Sequence, residues 1–307
     1  IDISNQIQLD SFLCDFNKII NLDISKNPVL RYLRCSNSDL STIRFNTFLK
    51  SLTCNNTKVS DLTDMPSTIQ YLNLLGNKLT KLDLENFSDL TYLNAEKNLI
   101  TNFVQPEFSK LKTIYLRDNR LDSLIITDMS FLTDLRMDEN NPNLKKLVVK
   151  RNPLLKVLSL GNSSSPTYID VSHNDLTTLN LSNMYQISHL DYSHNKITGF
   201  YTGNNAGILK YLDASNNAIT SIDQFHEAIY SSLTYFDISH NVPTQIILAK
   251  LPNIDLDLPT FGDLTFMTIG GAKSFKINPQ PKLATFIASG DVGQQIILDG
   301  HPNLKEI

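Results

Sequence analysis

One pattern constrains this chain more than any other: L-x-x-L-x-L-x-x-N-x-L recurs along it at about 21-residue spacing. It stands in Ile69–Leu79 (IQYLNLLGNKL), Leu90–Ile100 (LTYLNAEKNLI), Leu111–Leu121 (LKTIYLRDNRL) and Leu209–Ile219 (LKYLDASNNAI). Side chains alternate along an extended chain, so the fourth and sixth positions share one face of a short strand. Stacking such strands in parallel pairs their backbones and buries those leucines in one continuous core. A chain of 307 residues built this way is expected to be a single array, not two globular domains.

The ninth-position asparagine serves the turn leaving the strand, where its amide satisfies backbone groups that the bend leaves unpaired. That column reads Asn17, Ser38, Thr57, Asn77, Asn98, Asn119, Asn140, Asn174, Asn195, Asn217 and Asn241, and its regularity marks it as structural. A second apolar pair follows half a repeat later, as in Leu22/Ile24, Ile43/Phe45, Leu82/Leu84, Leu124/Ile126 and Leu179/Leu181. These pairs predict short extended segments on the convex side. No unit has a long run of helical periodicity, so few helices are expected.

The register breaks between Asn140 and Pro166, where Leu147/Val149 and Leu158/Leu160 stand only about 11 residues apart. One unit with a strong convex strand or two shortened units would both fit. After Asn241 the asparagine column ends, and Leu256, Phe266, Phe286 and Ile307 are the candidate core positions of degenerate repeats. The expected organisation is one solenoid over residues 1–307, regular to about 241, irregular at 141–166 and degenerate over 242–307. IDISN at the start and NLKEI at the end both fall inside a repeat, which predicts a longer parent polypeptide.

Charge is nearly balanced, 27 Lys and Arg against 31 Asp and Glu, so non-specific attraction to nucleic acid or anionic membrane is not expected. The longest apolar runs are too short to cross a bilayer. Cys14, Cys35 and Cys54 occupy the inward sixth position of successive units and read as a buried stack of small hydrophobes. Zinc needs about four converging ligands, whereas this stack is lined by Leu and Phe.

On these units the chain resembles the leucine-rich-repeat superfamily over roughly its first 240 residues. LDISKNPVLRYLRCSNSDLSTI and LTCNNTKVSDL are most similar to bacterial cell-surface and secreted members, which alternate an LDLSKNP-type half with an L-x-L/C-x-x-N-x-L half. The resemblance implies a β-rich solenoid of the α/β class: a curved array with a concave parallel sheet and mostly extended or turn-like convex segments. It also implies an exported adhesion or binding module, extracellular or at the cell surface, within a longer protein. LDYSHNKI and FDISHN resemble segments of eukaryotic receptor ectodomains as well, but the paired-cysteine caps of those receptors are missing.

Binding would fall on the outward positions of the concave strands, in columns about 4.8 Å apart. The third-position column holds Tyr32, Tyr71, Tyr92, Tyr168, His189, Tyr211 and Tyr235. The fifth holds Asp170, Asp191, Asp213 and Asp237, and the eighth adds His173, His194 and His240. Tyrosine offers a rigid ring and a hydroxyl at low entropic cost, although aromatic residues also simply fit exposed strands. Stacked carboxylates repel, so an unbroken Asp ladder invites cations, water or a basic partner. Near the register break, Arg117, Arg136, Lys145, Lys146, Lys150, Arg151 and Lys156 form a basic stretch. The face therefore grades from aromatic and neutral, through basic, to aromatic and acidic. Mixed sign suits a protein partner, and the same groups suit a carbohydrate.

Asp170, Ser172 and His173 are the residue types of a hydrolase triad, but they stand almost consecutively on one strand, whereas a triad converges from separate loops. His173, His194 and Asp191 could chelate a metal, yet a histidine column on an exposed face is ordinarily solvated. No phosphate-cradling Gly loop, HExxH or nucleophile elbow occurs. The expected function is non-catalytic recognition of a protein or carbohydrate on the concave face. Tyr168, His189, Tyr211 and Tyr235 are the expected anchors, Asp170, Asp191, Asp213 and Asp237 their polar partners, with Tyr115, Arg117 and Arg136 alongside. No metal, cofactor, nucleic acid or membrane insertion is expected. A structural spacer and an innate-immune-type receptor ectodomain are the alternatives.

Overall fold

The computed structural model describes residues 1–307 apart from 108, 139–140, 162–165, 200, 203–207, 223–231, 249–254, 271–273 and 290–299. It divides into two compact units, Ile1–Leu144 with Arg151–Ser163, and Lys145–Lys150 with Ser164–Ile307. Both are solenoids of short parallel strands, with no helix among the described residues.

The ladder of the first unit holds eight strands. They are Ser11–Leu13, Tyr32–Arg34, Ser51–Thr53, Tyr71–Asn73, Tyr92–Asn94, Thr113–Tyr115, Asp134–Arg136 and Val157–Ser159. Their middle residues pair in register, Leu33 with Leu52, Leu52 with Leu72 and Leu72 with Leu93. These are the fourth positions of the repeat. With the sixth they fill the core: Leu72, Leu74, Leu93, Ala95, Ile114 and Leu116 are fully buried, each large side chain contributing about 1.5–3 kcal/mol. Cys14, Cys35 and Cys54 are free thiols buried in the same row. Burial pushes the Cys14 thiol up to about 11, which keeps it in the unreactive form.

On the opposite side Asn21–Asp23 pairs with Thr42–Arg44, and Lys81–Asp83 with Asn102–Val104. Leu22, Ile24, Leu82 and Leu84 are buried there, as are Leu124 and Ile126, while Ile43 is half-buried. In the second unit Leu179 and Leu181 are buried without a strand.

The asparagine column holds consecutive coils together. Asn98 Nδ2 donates to Leu74 O of the previous coil at 3.0 Å and to Ala95 O of its own at 3.1 Å, and its Oδ1 accepts from Leu79 N. Asn195 repeats the arrangement with Val171 O, Tyr192 O and Leu176 N. Ser38 Oγ still reaches Cys35 O at 3.0 Å, and Thr57 bonds Asn77. Asn140 lies outside the described residues; in that coil Asn141 makes the bond to Leu116 O. Among the described residues the eighth position of the regular units is left-handed backbone: Phe16, Asn37, Asn56, Gly76, Lys97 and Asp118 in the first unit, His173, His194, Asn216 and His240 in the second. Its amide turns to the next coil, as Lys97 N does to Arg117 O at 3.0 Å. The histidines of the eighth column therefore occupy a turn that L residues adopt with strain.

The stretch that breaks the register contributes a strand to each unit. Lys146–Lys150 pairs with Tyr168–Asp170 in the second, and Val157–Ser159 with Asp134–Arg136 in the first. Past Asn241 parallel pairing continues: Gln245–Leu248, Phe266–Gly270 and Thr285–Ser289 pair in order, and Asp255–Leu258 pairs with Ser274–Ile277. Leu256 and Phe286 are core residues as expected. Phe266 is only half-buried; Met267 pairs with Phe286 and takes the buried place, because a one-residue slip turns a strand's side chains to the other face. Ile307 is 81% exposed and is not core.

Candidate functional site

The second-unit ladder runs from Lys146–Lys150 through Tyr168–Asp170, His189–Asp191, Tyr211–Asp213 and Tyr235–Asp237. Its register sets Tyr168, His189, Tyr211 and Tyr235 in one outward row and Asp170, Asp191, Asp213 and Asp237 in the next. In-register parallel pairing of near-identical repeats is what turns a repeated residue into a column.

The aromatic row is a ring-on-ring stack. Centroids lie 4.1 Å apart from Tyr168 to His189, 4.1 Å from His189 to Tyr211 and 4.3 Å from Tyr211 to Tyr235, with interplanar angles of 3°, 15° and 5°. Lys146 Nζ sits 5.4 Å from the centroid of the Tyr168 ring, within cation–π range. Tyr168, His189 and Tyr211 thus have both faces covered and present ring edges and hydroxyls to solvent. Burial, reinforced by the neighbouring carboxylates, raises the Tyr168, Tyr211 and Tyr235 phenols, so they remain hydrogen-bond donors. Burial lowers the His189 imidazole despite Asp170 and Asp213 nearby, leaving it neutral at neutral pH.

In the carboxylate row, Oδ1 of each aspartate accepts the amide two residues on: Ser172 N at 3.2 Å, Ser193 N at 2.9 Å, Ser215 N at 3.0 Å and Ser239 N at 2.8 Å. These Asx turns close the bend after each strand. Ser172 Oγ and Ser193 Oγ add bonds at 2.6 and 2.7 Å. Asp170 is buried, and its Oδ2 takes Lys150 Nζ at 2.7 Å. Burial opposes its charge, but Lys150 and Ser172 outweigh that and hold the carboxyl below its usual range. Among the described residues no lysine pairs with Asp191 or Asp213, and burial raises both, against a smaller opposing effect of His173 on Asp191.

The first unit arranges its outward rows differently. Tyr71 and Tyr92 stack at 4.5 Å in one row, Tyr115 of the next row meets Tyr92 edge-on at 5.9 Å, and Arg136 beside it lies 5.2 Å over the Tyr115 ring. Arg136 also closes on Asp134 at 2.9 Å. Arg117 lies between Glu96 at 3.3 Å and Asp138 at 2.9 Å, and Arg151 pairs with Asp128 at 2.7 Å. The basic stretch is therefore divided between units, and Arg117, Arg136, Lys150 and Arg151 are each held by a carboxylate. Sequence reasoning missed these pairings. The available signal was opposite charge one repeat length apart, as in Arg117 with Glu96 or Lys150 with Asp170.

His173 and His194 stack on each other with centroids 4.1 Å apart. Among the described residues no three His, Cys, Asp or Glu side chains are placed to hold a metal ion, and no helix is long and apolar enough to cross a membrane.

No family model and no curated protein matches the chain. Among solved structures it is similar to the functional domain of InlJ from Listeria monocytogenes, which includes a cysteine ladder, with a TM-score of 0.47 and 22% identity, covering 92% of this chain and 56% of that one. It is also similar to YopM from Yersinia enterocolitica, with a TM-score of 0.35 and 18% identity, covering 97% of this chain and 81% of that one. An internalin, inlF, from Listeria monocytogenes gives a TM-score of 0.31 and 16% identity, covering 95% and 89%. The chain spans little more than half of the InlJ domain that it matches.

Proposed function

We propose that this leucine-rich-repeat solenoid is a non-catalytic binding module of an exported protein, and that it recognises a protein ligand on the second-unit ladder face. The observation that carries the reading is the continuous stack of Tyr168, His189, Tyr211 and Tyr235 beside an in-register row of four aspartates. A row of rigid rings loses little entropy on binding, and its phenols and carboxylates supply donors and acceptors at each rung. Covered ring faces disfavour stacking on sugars, so a protein ranks above a carbohydrate. The Asp170 and Ser172 side chains bond each other directly inside a turn, which supports a structural use of that pair over a hydrolytic one, where histidine bridges the two. The exported setting rests on the resemblance of LDISKNPVLRYLRCSNSDLSTI to bacterial surface repeats.

A protein and glycan array probed with the whole chain and with a Tyr211→Ala/Tyr235→Ala variant tests this. The expected result is a protein ligand whose affinity drops at least about tenfold in the variant, with the circular dichroism spectrum unchanged. A ligand that the variant binds equally well moves the site off this face. Absence of any ligand turns the weight to a structural spacer.

A further inference from the structure

The second unit shows how a cation sits on its own outward rows. Lys150 Nζ lies 2.7 Å from Asp170 Oδ2, and Lys146 Nζ lies over the outer face of Tyr168. Both lysines come from Lys146–Lys150, the strand that pairs with Tyr168–Asp170, so the chain itself supplies a cation to the Tyr168 end of one row and the Asp170 end of the other. Among the described residues no lysine or arginine pairs with Asp191, Asp213 or Asp237, and the cationic group that acts on Asp191 is the titratable His173. Each of these three carboxylates keeps one oxygen in its own turn, which leaves the other for a visitor. Like charges stacked at strand spacing repel, and an arriving ammonium or guanidinium removes that cost where a neutral or acidic group does not.

Resting on the ladder-face reading above, we propose that the ligand is a basic polypeptide segment whose lysine or arginine side chains seat on Asp191, Asp213 and Asp237. The aliphatic stems of such side chains would lie across the neighbouring ring edges while their heads reach the carboxylates. Spacing sharpens the expectation. Alternate rungs lie about 9.6 Å apart, and an extended polyproline-II segment advances about 9.3 Å in three residues. A cation at every third position of such a segment would meet Asp191 and Asp237 together. Burial already raises the Asp191 and Asp213 carboxyls, so affinity should weaken on acidification sooner than ordinary carboxylates would dictate.

The test uses the whole chain and two synthetic proline-rich peptides, one with lysine and one with glutamate at every third position, followed by fluorescence anisotropy at low salt. The lysine peptide should bind and the glutamate peptide should not. Asp191→Asn/Asp237→Asn should weaken the lysine peptide at least about tenfold, because asparagine keeps the Oδ1 acceptor for the serine amide and removes only the charge. Thermal unfolding of the variant confirms that it is folded. Binding of the glutamate peptide at equal strength, or full retention of lysine-peptide binding in the variant, overturns the proposal. If neither peptide binds while an array ligand is lost in Tyr211→Ala/Tyr235→Ala, the basic partner falls and the ladder-face reading stands. If no ligand of any kind depends on those tyrosines, both fall.

Discussion

In the first unit, charge on one rung is answered by a neighbour: Arg117 lies between Glu96 and Asp138, Arg136 closes on Asp134, and Arg34 pairs with Asp15. In the second, like stacks on like. Along its outward rows rings follow rings and carboxylates follow carboxylates, and among the described residues the lysine pair of the carboxylate row is Lys150 with Asp170. The inward rows of the two units are nonetheless the same, leucine-rich and tied by asparagine bonds from coil to coil. The scaffold is carried by the inward rows, which frees the outward rows to diverge. One unit has used that freedom to neutralise itself, and the other has kept a repulsive row that burial makes more costly.

Four measurements would break or sharpen this contrast. The largest effects belong to the shared scaffold: Leu72→Ala in the first unit and Leu212→Ala in the second should each cost about 2–5 kcal/mol. Urea unfolding with hydrogen exchange to localise the loss would check it, and strongly unequal losses would refute a common scaffold. Next, Lys150→Met strands the buried Asp170 carboxylate and should cost about 1–3 kcal/mol. Lys110→Met in the first unit breaks only an exposed pair with Asp89 and should cost under about 0.5 kcal/mol. Smaller still is a reversal of sign. Asp134→Asn loses the Arg136 pair and should destabilise slightly, whereas Asp191→Asn relieves repulsion and should leave stability equal or higher, both within about 0.5–1 kcal/mol.

The smallest effect is on pH. Asp170 sits below its ordinary 3.8, so its contribution is present above that value and is lost as pH falls through its folded pKa. Asp191 and Asp213 sit above 3.8, so their contribution is present below that value and is lost as pH rises through their folded pKa. Acidifying from neutrality should therefore first raise the melting temperature slightly and then lower it. The double variant Asp191→Asn/Asp213→Asn should abolish the rise; a rise that persists there would assign it to other groups.

Much of this was legible in the chain. The period placed Leu72, Leu93 and Leu212 in the core, and columns such as Tyr168 to Tyr235 followed from counting alone, because parallel register converts period into position. Three things were not legible. Ring orientation depends on rotamers, so Tyr71 and Tyr92 stack within the third column while Tyr115, which stands in the fifth, reaches across to meet Tyr92 edge-on. Charge pairing depends on reach across a rung, which hid Arg117 and Lys150 behind an apparent basic patch. The slip that buries Met267 in place of Phe266 occurs where the asparagine column no longer marks the register, and alternation alone fits either face.

The asparagine bonds carry a mechanical consequence. Because Asn98 grips the carbonyl of Leu74 and Asn195 that of Val171, while amides such as Lys97 N reach the coil that follows, each coil is fastened to its immediate neighbours. Pulled from its ends, such a structure yields by shedding coils one after another, each letting out about 70 Å of slack for its roughly 21 residues. A force–extension trace would show a sawtooth of similar teeth, with load dissipated coil by coil.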